Sequence, residues 1–256
     1  MIPRSQRRLH NLNAVVTGAS SGIGQSIALM LAEEGANVAL VARRLGLLRK
    51  VAAKCSESES KAVCYPVDLL NEKEIRALEK KVIADFGGVD ILVHSAGVIV
   101  LCEVARASAR DFDRQYYCNV RAPFVLTQLF LPSVIAREGQ IVFINSTAGL
   151  QGSGGISQYA ATKHALKGFA DSLRQETNSQ GVRVLSVYLG RTATPMQLKV
   201  HRLERKDYHP ELLIQPNHVA RIVVDALAMG REAEITDLCL RPMQKPGEIA
   251  LDDRKK

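Results

Sequence analysis

"NAVVTGASSGIG", residues 13–24, passes from a β-branched apolar run into a turn with glycines at 18, 22 and 24, and then into a helical pattern. Ile23, Ile27, Met30 and Leu31 recur at helical spacing until Gly35 ends the helix. Glycines in such a turn allow a tight bend and let the backbone approach a phosphate closely. The helix N-terminus behind them offers free N–H groups and partial positive charge. The spacing is G-x-x-x-G-x-G rather than the commoner G-x-G-x-x-G. On its residues alone the turn reads either as a pyrophosphate cradle or as a plain strand-to-helix turn whose glycines relieve sterics.

The same alternation of element types runs outward along the chain. "NVALVA" (37–42) and "KAVCYPVDL" (61–69) read as buried strands, followed by an amphipathic helix over 71–88 with Asn71 as N-cap, Glu74 three residues on, and Ile75, Leu78, Val82 and Phe86 as its apolar stripe. Strands are expected at 90–94, 139–145, 182–190 and 236–242, and helices at 109–137, 157–178 and 217–229. Apolar strands separated by helices imply an α/β fold: one doubly wound, Rossmann-like domain with a parallel sheet and helices on both faces. The expected boundaries are a basic N-terminal extension at 1–10, the domain at 11–242, and a polar C-terminal tail at 243–256.

Composition narrows the function. With 256 residues, 46% hydrophobic and 23% charged, the chain is long enough for a substantial core and ordinary for a globular protein. No apolar run approaches the roughly 20 residues of a membrane span, and the basic N-terminus has no apolar segment behind it of the kind a secretory signal needs. Five scattered cysteines without CxxC spacing argue against a disulfide framework or a zinc site and fit a reducing, cytoplasmic setting. The net charge of +8 comes with no basic helix interleaved with aromatics, so a solvated basic surface or attraction to an anionic cofactor is favoured over nucleic acid.

"YAATK" (159–163) places Tyr159 and Lys163 four residues apart, on one face of the expected helix over 157–178. Taken alone that spacing is weak. Thirteen residues before Tyr159, however, Ser146 ends the strand in "INSTAG", at the sheet edge where open α/β folds bind ligands.

The glycine loop, the order of elements and the Tyr-x-x-x-Lys pair together resemble the short-chain dehydrogenase/reductase family over about residues 11–242. The resemblance implies a nicotinamide dinucleotide held by Gly18, Ser20, Ser21, Gly22, Ile23, Gly24, Ala96 and Gly97. It assigns Asp68 to the adenine amino group, and Thr192 and Thr194 to the carboxamide side of the nicotinamide. In this fold an acid at the end of the second strand holds the ribose 2′-hydroxyl of NAD, whereas an arginine accommodates the 2′-phosphate of NADP. Here Ala42 stands in the acid's place and Arg43 follows, which points to NADP(H); the other reading of Arg43 and Arg44 is a solvated pair at a strand end. Asp68 likewise reads as a turn or capping acid.

The resemblance implies four catalytic residues. Ser146 would bond the substrate oxygen and Tyr159 would act as general acid or base. Lys163 would favour the phenolate of Tyr159 and bind the nicotinamide ribose, and Asn119 would organise a water for proton relay to Lys163. Two departures from the family pattern stand out. His94-Ser95-Ala96-Gly97 replaces Asn-Asn-Ala-Gly, so the amide that ties neighbouring strands is missing, and His94 is expected to be a satisfied buried histidine. In "YLGRTATPM" Leu189 replaces a proline, which removes a φ restraint and is expected to loosen the loop.

The resemblance implies a small-molecule carbonyl or secondary alcohol as substrate, covered by a lid over 195–216. Lys199, His201, Arg202, Arg205 and Lys206 either attract an acidic substrate or carrier or form a solvated face. An NADP(H)-dependent oxidoreductase therefore stands beside two alternatives: a 3-oxoacyl-carrier-protein-type reductase, and a sensor or scaffold that binds NADP without chemistry. The resemblance also implies a homodimer or homotetramer built through the helices at 109–137 and 157–178.

Overall fold

Alternation of apolar residues dictates the sheet. In β1 (Asn13–Thr17) Ala14 and Val16 pack into one cluster and Val15 into another; in β2 (Asn37–Ala42) Val38 and Leu40 join the first, Ala39 and Val41 the second. Successive strand side chains point to opposite faces, so strands this apolar need cover on both. The computed structural model describes residues 7–243 and supplies that cover. The remaining strands are β3 (Ala62–Pro66), β4 (Ile91–His94), β5 (Gln140–Ser146), β6 (Arg183–Leu189) and β7 (Asp237–Leu240). All pair in parallel, in the order β3-β2-β1-β4-β5-β6-β7.

Helices α1 (Gly22–Glu33), α2 (Leu45–Ser56) and α8 (Pro216–Leu227) bury Ile27, Leu31, Leu48, Val219 and Val223 on the first face. Helices α3 (Glu72–Phe86), α5 (Ala122–Ala136) and α6 (Ser157–Thr177) bury Leu78, Phe130 and Leu166 on the second. Chain order runs outward in opposite directions from the β1/β4 pair. That switch point leaves a crevice at the carboxyl ends of the strands. Asn71 caps α3 as its sequence suggests, accepting from the Lys73 N–H. Glu74 reaches back to the Asp68 N–H and receives the Asn71 amide, fastening the loop after β3.

Several expectations change. β3 stops at Pro66, so residues 67–69 leave the sheet and wall the crevice. Residues 7–10 are no free extension: Leu9 is buried in the first core, and Arg8 binds Glu34 and Asp225. The polar tail expected at 243–256 lies, apart from Met243, outside the described residues. α2 carried no strong sequence signal because its core side is only Leu48, Val51 and Cys55 among charged residues.

The helix expected at 109–137 is α4 (Ala109–Tyr116), a π turn (Tyr117–Arg121) and α5 in succession. Pro123 has no N–H to give the Asn119 carbonyl, and the Ala122 N–H instead reaches five residues back to Tyr117. The combined Ala109–Ala136 segment is long and apolar enough to cross a membrane by composition, yet 56% of its apolar window is buried inside the protein. Leu126, Phe130 and Val134 are wholly covered by the second core, which is how a core helix of a globular domain passes that test. Nor is the loop after β6 loosened. The strand runs on through Leu189, paired with Ser146 and Leu240, and the Gly190 N–H bonds the Leu240 carbonyl at 2.8 Å.

Candidate active site

The phosphate turn is set by backbone geometry. Gly18 has φ +70°, and a Cβ there would stand 2.9 Å from the Ala96 nitrogen; Gly22 has φ +58°. At Gly24 a Cβ would meet the Gly18 carbonyl at 2.6 Å, so glycine lets the first turn of α1 close onto the end of β1. Ser21 occupies the N-cap position of α1 without a side-chain cap bond, and no acid lies in the first turn. The positive end of the helix thus faces the crevice unneutralised.

The crevice wall continues through Ala42, Arg43, Arg44, Asp68, Ala96, Gly97 and Thr194. Arg43 and Arg44 are exposed at the end of β2, and among the described residues no carboxylate pairs with either. These groups fit a phosphorylated dinucleotide: glycines where the backbone must come close, N–H groups at the helix end, and two free guanidinium forks beyond. Asp68 lines the same wall while its carboxylate also accepts from the Leu70 N–H, so the turn-forming reading of that acid holds as well.

A second hollow adjoins the first, sharing Ile23, Ser95–Val98, Thr194 and Met196 with it. Ser146, Tyr159, Lys163 and Thr192 line it. β5 delivers Ser146 at its carboxyl end, where the Asn145 amide accepts from the Ser146 N–H and donates to the Lys163 carbonyl. Asn145 therefore locks the strand end to α6. Tyr159 and Lys163 stand one turn apart on α6, with the Lys163 Nζ 5.9 Å from the Tyr159 ring centre. Gly149 allows this contact, since a Cβ there would sit 2.8 Å from the Lys163 carbonyl.

Burial pushes the Tyr159 phenol up, opposed by its hydrogen bond with Ser146. The Lys163 ammonium donates to the Ile144 carbonyl at 3.0 Å. Burial lowers Lys163 itself to about 8.

Thr192 donates to the Gly190 carbonyl, while Thr194 caps α7 (Pro195–Glu204) by accepting from Gln197 and packs its methyl group on Gly22. Asn119 is the one predicted residue outside both hollows. It is buried in the π turn, where its side chain clasps the N–H and carbonyl of Val98 and donates to Thr162. Its amide is fully engaged in holding the loop after β4. Its main-chain carbonyl is the group that Pro123 releases from the helical ladder.

Two substitutions in that loop resolve clearly. Thr17 takes over the missing strand tie: its hydroxyl donates to the Val93 carbonyl and accepts from the N–H groups of Ser95 and Ala96. His94 is only half satisfied. Nε2 meets the Thr127 hydroxyl at 2.9 Å and the ring stacks on Phe143, but Nδ1 has no partner. Burial lowers His94 to about 3. An unfolded histidine titrates near 6.5, so the unfolded state binds the extra proton in between. Stability from a neutral His94 is complete above pH 6.5 and falls with pH by up to about 1.4 kcal/mol per unit toward pH 3. Denaturant titrations across that range are expected to show a shallower acid slope in His94→Gln than in the wild type.

Sequence reading also missed Gln115. Wholly buried on α4, it accepts from the Val100 N–H and donates to Gln158, which precedes Tyr159 and reaches on to the Ser108 carbonyl. The two glutamines are 43 residues apart, and no local pattern links them. Gln115→Leu leaves the part-buried Val100 N–H and the Gln158 carboxamide oxygen without their partner, and is expected to cost about 1–3 kcal/mol of stability in a denaturant melt.

The family model for short chain dehydrogenases matches residues 12–204. The glycine betaine reductase ATRR of Emericella nidulans is 34% identical over 238 residues, covering 91% of this chain, which in turn spans only 19% of that protein. An uncharacterised oxidoreductase of Staphylococcus aureus is 31% identical over 231 residues, covering 90% of this chain and 96% of the relative. Among solved structures, a metagenomic short-chain oxidoreductase in complex with NADP superposes with a TM-score of 0.81 at 30% identity, covering 93% of this chain and all of the other. With its seven-stranded parallel sheet, glycine cradle and matched residues 12–204, the chain belongs to the short-chain dehydrogenase family of oxidoreductases.

Proposed function

We propose that the protein is an NADP(H)-dependent oxidoreductase acting on a carbonyl or secondary alcohol, with Tyr159 as the general acid or base. The observation that carries the reading is the meeting of Ser146, Tyr159 and Lys163 on the wall of a hollow continuous with the phosphate cradle. NADP rather than NAD is supported by the two unpaired arginines at the end of β2, the absence of an acid at Ala42, and the NADP held by the solved relative. The cofactor, when bound, supplies or accepts the hydride.

The protein's own residues handle the proton and the charge. Tyr159, raised by burial, keeps its hydroxyl protonated near neutral pH, the form that donates to a developing alkoxide in reduction. Ser146, whose oxygen accepts from the Ala148 N–H, directs its single hydroxyl proton at the same oxygen. Lys163 donates to the Ile144 carbonyl and stands close enough to Tyr159 to turn toward it, or toward a ribose hydroxyl, when the cleft is filled. Asn119 holds the Val98 loop and offers a main-chain carbonyl freed by Pro123 for a proton-relay water.

The exposed aromatic side chains Tyr116 and Phe124, on α4 and α5, support assembly through these helices. Reduction of a ketone with NADPH deuterated at the transferable position tests the reaction. Deuterium at the carbinol carbon of the product is expected; product labelled only from solvent contradicts the reading.

A further inference from the structure

Of the two readings of the basic lid, attraction of an acidic substrate or a solvated face, the exposure of its cations favours the second. Lys199, Arg202, Arg205 and Lys206 are exposed, and none lines the hollow that holds Tyr159. His201 is buried against Tyr208, and its Nδ1 lies 2.9 Å from the Gln197 carbonyl. Among the described residues the charged side chains that do line this hollow are Lys163, Arg191 and Glu204.

Lys163 is buried, donates to the Ile144 carbonyl and serves Tyr159 and the ribose in the proposed reaction. Arg191 is the remaining cation a substrate carboxylate would find, and it is already taken. One of its guanidinium nitrogens donates to both Glu204 oxygens at 2.8 Å. Burial pushes the Glu204 carboxyl up, but the hydrogen bond and charge of Arg191 outweigh it, so Glu204 stays ionised at neutral pH. A lysine, Lys206, adds a contact at 3.3 Å from the solvent side. The rest of the wall is uncharged, with Ile99, Leu101, Ile156, Met196 and Val200 among its members.

From this we infer that the hollow selects uncharged carbonyl or alcohol substrates, and that Glu204 sets the selection by occupying Arg191. The inference rests on the oxidoreductase reading above. A substrate carboxylate entering the hollow must either displace Glu204 from Arg191 or lie beside its negative charge, which is specificity by an introduced repulsion. A neutral ester or alkyl group meets no such opposition.

The probes are ethyl benzoylformate and benzoylformate, which share a reacting ketone and differ in one charge. Values of kcat/KM with NADPH are measured for each, with competitive inhibition constants against another carbonyl for any compound not turned over. The wild type is expected to favour the ester by about 100-fold. Glu204→Gln is expected to shrink that ratio about tenfold, and Arg191→Gln added to it to restore the wild-type ratio. Glu204→Asp, which keeps the charge, is expected to keep the preference. If Glu204→Gln fails to fold by circular dichroism, Arg191→Gln alone decides, since an unpaired Glu204 must widen the preference. Equal use of acid and ester by the wild type, a ratio unmoved by Glu204→Gln, or binding of neither probe overturns the inference while leaving the oxidoreductase reading intact. Failure to turn over any carbonyl or alcohol removes that reading, and this inference with it.

Discussion

Tyr159→Phe is expected to lower kcat for carbonyl reduction by about 100- to 10 000-fold, the usual worth of a positioned general acid, while leaving NADPH affinity within a few-fold of the wild type. The change deletes one oxygen and keeps the ring, so the packing on α6 survives. What it removes is the one phenol that lines the hollow among the described residues, one turn from Lys163. Steady-state kinetics combined with an NADPH binding titration separate the two outcomes. A large kcat loss with intact binding is the signature of a lost proton donor. Parallel loss of both instead marks a disturbed fold. Retention of wild-type kcat removes Tyr159 from the chemistry.

Arg43→Ala carries the second large effect. A guanidinium bonded to a phosphate contributes about 1.5–3 kcal/mol as a charge-assisted hydrogen bond, so NADPH binding is expected to weaken by about 10- to 100-fold. NADH, which lacks the 2′-phosphate, is expected to bind nearly as before. Arg44 follows directly and also lines the cleft, so the double change to alanine is expected to exceed the single one. Isothermal titration with both cofactors reads the difference. Equal weakening of NADH and NADPH contradicts a 2′-phosphate contact and assigns Arg43 a structural part.

Much of this was legible because its causes are local. The glycine turn at 17–24, the first two apolar strands and the Asn71 cap each owe their form to residues within one turn or one strand, and each stands where the sequence puts it. Ser146, Tyr159 and Lys163 were singled out by the family resemblance, and a strand end and a helix face bring them to one hollow. The rest depended on contacts between distant residues. Nothing near Thr17 announces that its hydroxyl bridges to residues 76 to 79 positions away. The π turn follows from Pro123, but a proline in the first turn of a helix is usually harmless, so its effect on the preceding turn went unread. The bond from Lys163 to the Ile144 carbonyl on β5 depends on the packing of α6 on the sheet, which no local pattern announces. The lid cations were visible in sequence, whereas their exposure, and the capture of Arg191 by Glu204 inside, were set by the orientation of α7.

The central claim is that this cleft transfers hydride between NADP(H) and a carbonyl carbon. Its most direct measurement is the absorbance of the nicotinamide while the protein is mixed with NADPH and a panel of neutral ketones and aldehydes. Loss of the reduced-nicotinamide band is expected with at least one of them, with slower loss for NADH and none for Tyr159→Phe. Tight NADPH binding with no turnover of any carbonyl, nor of any alcohol with NADP, would contradict it and leave a protein that holds the dinucleotide without using it.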